Sequence, residues 1–191
     1  MKGKKFLFCI TGSIAAYKTC DIIRNLRKQD AKVWVAMTSS AQKFVGKATF
    51  AALTDNEIMT DIFPETPKAG LEHIELSHNL DAVIVLPATA NILAKAASGI
   101  ADNLVSTILS VCEQPTLFVP AMNTRMWQNP AIQESTDILR QRGKIVLDPT
   151  SGYLASLHEG EGRLPENPII MNAIRELFHT PLPLQGKKVL V

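Results

Sequence analysis

The first residues able to do chemistry come early, in Thr11-Gly12-Ser13-Ile14-Ala15-Ala16-Tyr17-Lys18. Gly12 permits a tight turn, Ser13 brings a hydroxyl to a helix start, and Ala15 and Ala16 leave the backbone approachable. Backbone N–H groups and a helix dipole in such a place receive an anion, a phosphate above all. An ordinary N-capped helix explains the same residues without a ligand, and the two readings stand level. No G-x-G-x-x-G and no Walker lysine is present, which weighs against dinucleotides and nucleoside triphosphates. Thr38-Ser39-Ser40 repeats the theme; capping accounts for it alone, yet two hydroxyl-rich loops on one sheet edge are placed to share a phosphate.

Two further loops carry amides. Pro87-Ala88-Thr89-Ala90-Asn91 and Pro120-Ala121-Met122-Asn123 each set an asparagine shortly after a proline. An amide donates and accepts, so it suits a planar heterocycle or a carboxylate; it also satisfies turn backbone, which is the competing reading. His73 lies in Leu71-Glu72-His73-Ile74-Glu75-Leu76, whose apolar positions indicate a half-buried segment, and its role as structural or catalytic stays open. His78 and His179 read as exposed, and His158 lies in an irregular stretch. Cys9, Cys20 and Cys112 have no C-x-x-C spacing, so they read as reduced thiols and no metal site is expected.

These loops need elements to hold them. Lys5–Ile10, Lys32–Met37, Ala82–Leu86, Thr116–Val119 and Ile145–Leu147 are short apolar runs of the kind buried on both faces. Between them lie helical patterns over Ala15–Lys28, Ala41–Ala52 (interrupted by Gly46), Ile92–Ser98, Leu104–Cys112 and Pro130–Arg142, with Pro168–His179 as the last. Alternation of this kind predicts an α/β fold: an open parallel sheet with helices on both faces. Ligands then sit beyond the carboxyl ends of the strands, where all four loops lie. Asp55–Pro67 is expected as loop. Asp148–Asn167, about twenty residues with three glycines, is too long for an ordinary connection and reads as a lid or binding flap. Pro181–Gly186 reads as a linker and Lys187–Val191 as an opening strand, so residues 1–180 are expected to form one domain and 181–191 to lead into another.

With 191 residues, 20 Lys and Arg against 18 Asp and Glu, and a net charge of +2, nothing points to nucleic acid or an anionic membrane as partner. The apolar run Phe6–Ile10 has five residues, short of the about 7–15 of a signal segment. A cytoplasmic protein is expected.

Taken together, Gly12-Ser13-Ile14-Ala15-Ala16-Tyr17-Lys18, His73-Ile74-Glu75-Leu76, Pro87-Ala88-Thr89-Ala90-Asn91 and Pro120-Ala121-Met122-Asn123-Thr124-Arg125-Met126-Trp127 resemble the flavin-dependent cysteine decarboxylases. The likeness is greatest to the phosphopantothenoylcysteine decarboxylases of coenzyme A biosynthesis. It runs in order from about Lys4 to Pro165, and the last stretch matches the family's P-x-M-N-x-x-M-W. The resemblance implies a Rossmann-like subunit binding FMN between subunits of a trimer, or of a dodecamer built from trimers. By it, Gly12, Ser13, Ile14, Thr38, Ser39 and Ser40 hold the phosphate and ribityl part of FMN. Thr89, Ala90, Asn91 and Ile92 line the flavin, with Ala121 near. His73 is the catalytic base, and Asn123 with the backbone at Met122 holds the substrate carboxylate. In bacteria the domain is commonly fused to a synthetase, which fits the reading of residues 181–191.

The implied reaction takes 4'-phosphopantothenoyl-L-cysteine to 4'-phosphopantetheine. Direct loss of CO₂ leaves a carbanion with no electron sink; oxidising the thiol carbon to a thioaldehyde first supplies one, and a flavin takes and returns the electron pair. The family's flap reads G-x-x-A-C-G-x-x-G-x-G-R-M, its cysteine giving a proton in the last reduction. Here Ser156 stands at that cysteine, Leu157 at a glycine and Leu164 at the methionine, while Gly160, Gly162 and Arg163 agree. A serine hydroxyl is a far weaker acid than a thiol. An oxidative decarboxylase that releases an enethiol, as with peptidyl-cysteine substrates, and a non-catalytic flavin-binding regulatory subunit are the alternatives.

Overall fold

The computed structural model describes residues 1–62 and 79–178. Five strands form a parallel sheet in the order β2-β1-β3-β4-β5: β1 Lys5–Ile10, β2 Lys32–Met37, β3 Ala82–Ala88, β4 Thr116–Pro120 and β5 Ile145–Val146. The register sets Phe6 opposite Val33 on one side and Ala82 on the other. Successive side chains of a strand leave by opposite faces, so β1 feeds two cores. Phe6, Phe8 and Ile10 pack with α1 (Thr19–Arg27), α2 (Lys47–Thr54) and α7 (Asn167–Glu176) through Ile22, Phe50 and Ile170. Leu7 and Cys9 pack with α3 (Ala90–Ser98), α4 (Leu104–Val111) and α6 (Pro130–Gln141) through Leu93, Ile108 and Leu139. That two-sided burial is why the strands read as continuous apolar runs.

Helix positions explain the connections. Asn103 and Ser106 cap α4 reciprocally, and Pro130 stands in the first turn of α6 behind the Asn129 cap. At the amino edge, Asp81 accepts from the Lys5 amide and the Lys4 ammonium, both at 2.8 Å. Burial alone pushes the Asp81 carboxyl up, but these donors outweigh it and hold it below the usual carboxylate range.

Four sequence expectations are corrected. The helix expected over Ala15–Lys28 opens as a 3-10 turn, Ile14–Lys18, and becomes α-helical only at Thr19. Its small inward residues, Ala15 and Ala16, let the tighter winding press against the sheet edge. The helix expected over Ala41–Ala52 divides into a 3-10 turn, Ala41–Lys43, and α2, because Gly46 is extended and starts the second piece. The third strand does not stop at Pro87 but continues to Ala88, with the β3–β4 register shifting between Val85 and Ala88 where proline has no N–H to give. The irregular Asp148–Asn167 contains an antiparallel hairpin, β6 Thr150–Tyr153 and β7 Glu159–Arg163. Glycine and charged residues without apolar alternation hid it.

Candidate functional site

Parallel strands all end on one edge, which gathers the loops after Ile10, Met37, Ala88 and Pro120. The strand order reverses direction between β1 and β3, and there a ligand crevice forms in open α/β sheets. Thr11, directly after β1, is buried at this point. Its hydroxyl donates to the Pro87 carbonyl at 2.7 Å and accepts from the Thr89 amide at 3.1 Å, with the Thr89 hydroxyl 3.2 Å away. Thr89 in turn caps α3, accepting from the Ile92 amide. The residues that follow β1 and β3 are thereby clasped at fixed spacing.

Beside this clasp lie the hydroxyl loops. A Cβ on Gly12 would stand 2.5 Å from the Ser40 Cβ, so the turns after β1 and β2 touch only because residue 12 lacks a side chain. Ser13 accepts from the Ala15 amide at 3.3 Å, and Thr38 from the Ala41 amide at 3.2 Å; Ser39 and Ser40 are exposed. Capping and ligand reach therefore coexist in one cradle. The 3-10 turn after Ser13 runs directly into α1, and α3 begins behind the Thr89 cap after β3.

The amide loops differ from each other. Asn91 is exposed on the first turn of α3, while Ala90 is buried and Ile92 points into the core. Asn123 caps a short helix, α5 (Thr124–Trp127), accepting from the Arg125 amide at 2.9 Å. With its Oδ1 so used, its exposed Nδ2 group remains to donate. Ala121 is buried, and the Met122 amide donates to the Gly162 carbonyl at 2.9 Å.

That last bond joins the flap to the site. A Cβ on Gly162, whose φ is +126°, would collide with the Met122 carbonyl, and one on Gly160 with the Thr124 hydroxyl. Two glycines seat β7 against the loop that carries Asn123. The hairpin tip holds Ser156, exposed, with the His158 ring Nδ1 3.0 Å from the Ser156 carbonyl. His73 lies outside the described residues, as do His78 and His179. Thr11, Thr124 and Gly160 lie inside the motifs read from the sequence, which assign none of them a role of its own. A hydroxyl straight after a buried strand is the signal for Thr11; Thr124 falls at an unspecified position of the Pro120–Trp127 motif.

A family model for flavoproteins matches residues 1–179. The chain belongs to the flavoprotein family. Its relatives include the coenzyme A biosynthesis bifunctional protein CoaBC of Mycobacterium tuberculosis, 42% identical over 98% of this chain and 46% of the relative. The Bacillus subtilis protein of the same name is 38% identical, over 100% of this chain and 48% of the relative. The chain thus spans about half the length of the curated relatives it matches. Among solved structures, a cysteine-to-serine mutant of PPC decarboxylase complexed with pantothenoylaminoethenethiol superposes with a TM-score of 0.81 at 29% identity, over 93% of this chain and 99% of that one. The FMN-dependent cysteine decarboxylase SpaF gives 0.79 at 30%, over 91% and 97%, and the peptidyl-cysteine decarboxylase EpiD 0.76 at 29%, over 92% and 99%. This flavoprotein therefore has the fold, with helices on both faces of a parallel sheet, that its sequence predicts. The hydroxyl cradle at Gly12 and the clasp at the strand-order reversal are what a phosphate-bearing flavin requires, and the residues present fit it.

Proposed function

We propose that this flavoprotein decarboxylates 4'-phosphopantothenoyl-L-cysteine to 4'-phosphopantetheine in coenzyme A biosynthesis, with FMN as its cofactor. A decarboxylase of the coenzyme A route is the coarser statement that its relatives support. The observation that carries the finer reading is the seating of the glycine hairpin on the Met122–Thr124 loop. It brings a flap to the loop that carries Asn123, whose exposed Nδ2 is left to donate to a carboxylate.

FMN supplies reversible two-electron chemistry at the thiol-bearing carbon. Gly12, Ser13, Ile14, Thr38, Ser39 and Ser40 would hold its phosphate and ribityl part, and Thr89, Ala90, Asn91, Ile92 and Ala121 would border the ring. His73 would take the proton lost as the thiol is oxidised, and Asn123 would orient the carboxylate beside Met122. Closing the hairpin would exclude water from the thioaldehyde. Residues 1–180 would form this domain. Residues 181–191 would lead to a fused synthetase, and the subunits would assemble as trimers or as a dodecamer built from trimers in the cytoplasm. No helix among the described residues is long and apolar enough to cross a membrane.

A second reading, oxidative decarboxylation that ends at the enethiol, is favoured by Ser156. A solved relative that holds an enethiol carries a cysteine-to-serine exchange. The deciding experiment is anaerobic incubation of the holoprotein with phosphopantothenoylcysteine, following product mass and flavin colour for the wild type and Ser156→Cys. Phosphopantetheine from the wild type supports the first reading. A product two mass units lighter, with turnover restored in Ser156→Cys, supports the second; no CO₂ from either protein refutes both.

A further inference from the structure

The reaction proposed above needs a proton as well as an electron pair in its second half, and no donor has yet been named for it. We propose, on that substrate reading, that His158 at the hairpin tip is the catalytic acid that protonates the carbon from which CO₂ has left.

The hairpin turns His158 to the face that seats on the Asn123 loop. Gly152 pairs with Gly160 and Tyr153 with Glu159, and the Leu154 amide donates to the His158 carbonyl at 2.9 Å, so strand alternation runs unbroken through His158. A Cβ on Gly160 would meet Thr124. His158, two residues before it, leaves by that same face. Glu159 and Glu161 leave by the other, the face of the exposed Tyr153. Leu157 sets this register: its φ of +61° closes the three-residue loop of Ala155, Ser156 and Leu157.

The ring is also oriented. Its Nδ1 lies 3.0 Å from the Ser156 carbonyl, and a carbonyl only accepts, so Nδ1 carries the hydrogen. Nε2 is then the nitrogen left to take a proton from water and pass it on. Neighbouring charged groups do not compete for the task. Arg163 lies over Gly152 and is paired with Glu166 at 2.6 Å, and Arg125 stands on α5, against which β7 packs. A guanidinium does not release its proton, and the Ser156 hydroxyl is too weak an acid.

Loss of CO₂ leaves the electron pair of the broken C–C bond in an enethiolate, C=C–S⁻. When Nε2–H gives its proton to the carbon that held the carboxylate, the C=C pair becomes the new C–H bond and a sulfur lone pair remakes C=S. A hydride returned by the flavin to the C=S carbon then completes the thiolate. One proton and one hydride are added, which is the difference in mass between the enethiol and phosphopantetheine. The imidazole, left neutral, regains its proton from water.

The two half-reactions can be followed separately in the FMN-loaded protein, anaerobically, with phosphopantothenoylcysteine. Flavin bleaching reads the oxidation, product mass and returning colour read the reduction, and calorimetry gives Kd for phosphopantetheine. In His158→Gln, bleaching and Kd should stay close to wild type while formation of phosphopantetheine falls about a hundredfold or more. The lighter enethiol should accumulate in its place, and added imidazole should recover part of the loss. In the wild type the reduction should slow as pH rises through about 6–7, where an imidazolium ordinarily loses its proton, and His158→Gln should lack that dependence. If His158→Gln makes phosphopantetheine at the wild-type rate, or slows bleaching and reduction alike, His158 is not the acid and the substrate reading stands. If the wild type itself stops at the enethiol, the oxidative reading replaces the complete one and the role of His158 is overturned. If the wild type releases no CO₂, the substrate reading falls and the assignment of His158 falls with it.

Discussion

Thr11 shows how one hydroxyl can set a site. It is 2% exposed, and its oxygen serves the Pro87 carbonyl and the Thr89 amide at once. Valine has nearly its shape but leaves both groups buried without partners, each at a cost of about 1–3 kcal/mol. Thr11→Val should therefore lower the urea midpoint and loosen FMN binding together, read by denaturant titration and flavin fluorescence. A variant with wild-type stability and affinity would show that the clasp does not position the crevice. Asn123 belongs to the same scale: its Oδ1 is spent on capping α5, so only its Nδ2 side is left for a ligand.

The hairpin is the element on which function most depends. Its two strands bury little apolar surface: Tyr153 is 71% and Leu157 84% exposed. Isolated two-stranded hairpins are marginal in water, so its position rests on the backbone bond from Met122 to Gly162 and on two glycines with no room for a Cβ. Gly162→Ala would force both a collision with a backbone carbonyl and a conformation that L residues rarely adopt, at a cost on the order of 1–3 kcal/mol for the backbone alone. We expect the flap to detach while the sheet stays folded. Limited proteolysis should cut within 150–163 much faster than in the wild type, with FMN retained and turnover lost. Unchanged protection of that segment would refute the anchoring role.

At the scale of the whole molecule, two properties follow from what the fold buries and what it leaves open. Burial, with Cys112 near, pushes the Cys9 thiol up, and burial likewise lifts Cys112 to about 11 against the lowering effect of Lys144. In the unfolded chain a cysteine ionises near about 8.5. A folded pKa above the unfolded one gives stability that is whole below the unfolded value and is lost as pH rises toward the folded one. The urea midpoint should fall from about pH 9 upward, less steeply in Cys9→Ala; an equal slope in that variant would remove the thiol from the explanation. The open property is the carboxyl edge. Ile14 and Tyr17 beside the cradle are 54% and 58% exposed, and Met126 beside Asn123 is 47%. If a neighbouring subunit completes the flavin site, light scattering should find FMN only on the oligomer, and a monomer that holds FMN at micromolar concentration would sink that arrangement.

Much of this was already determined along the chain. The strands announced themselves because a parallel strand buried on both faces must be apolar at every position, as Lys5–Ile10 and Ala82–Leu86 nearly are. Parallel strands all end on one edge, so the four chemistry-bearing loops had to meet there, whatever the strand order. Three things were decided only in three dimensions. The order β2-β1-β3-β4-β5 placed Thr11 against Thr89, a contact across 78 residues that no local pattern encodes. The helical window at Ala15–Lys28 opened as a 3-10 turn because close approach of Ala15 and Ala16 to the sheet edge outweighed periodicity. The glycine-rich flap became an anchored hairpin because its glycines fit the backbone of another loop. Spacing reports what a side chain needs of its own element; it is silent about the space that a distant backbone will leave for a missing one.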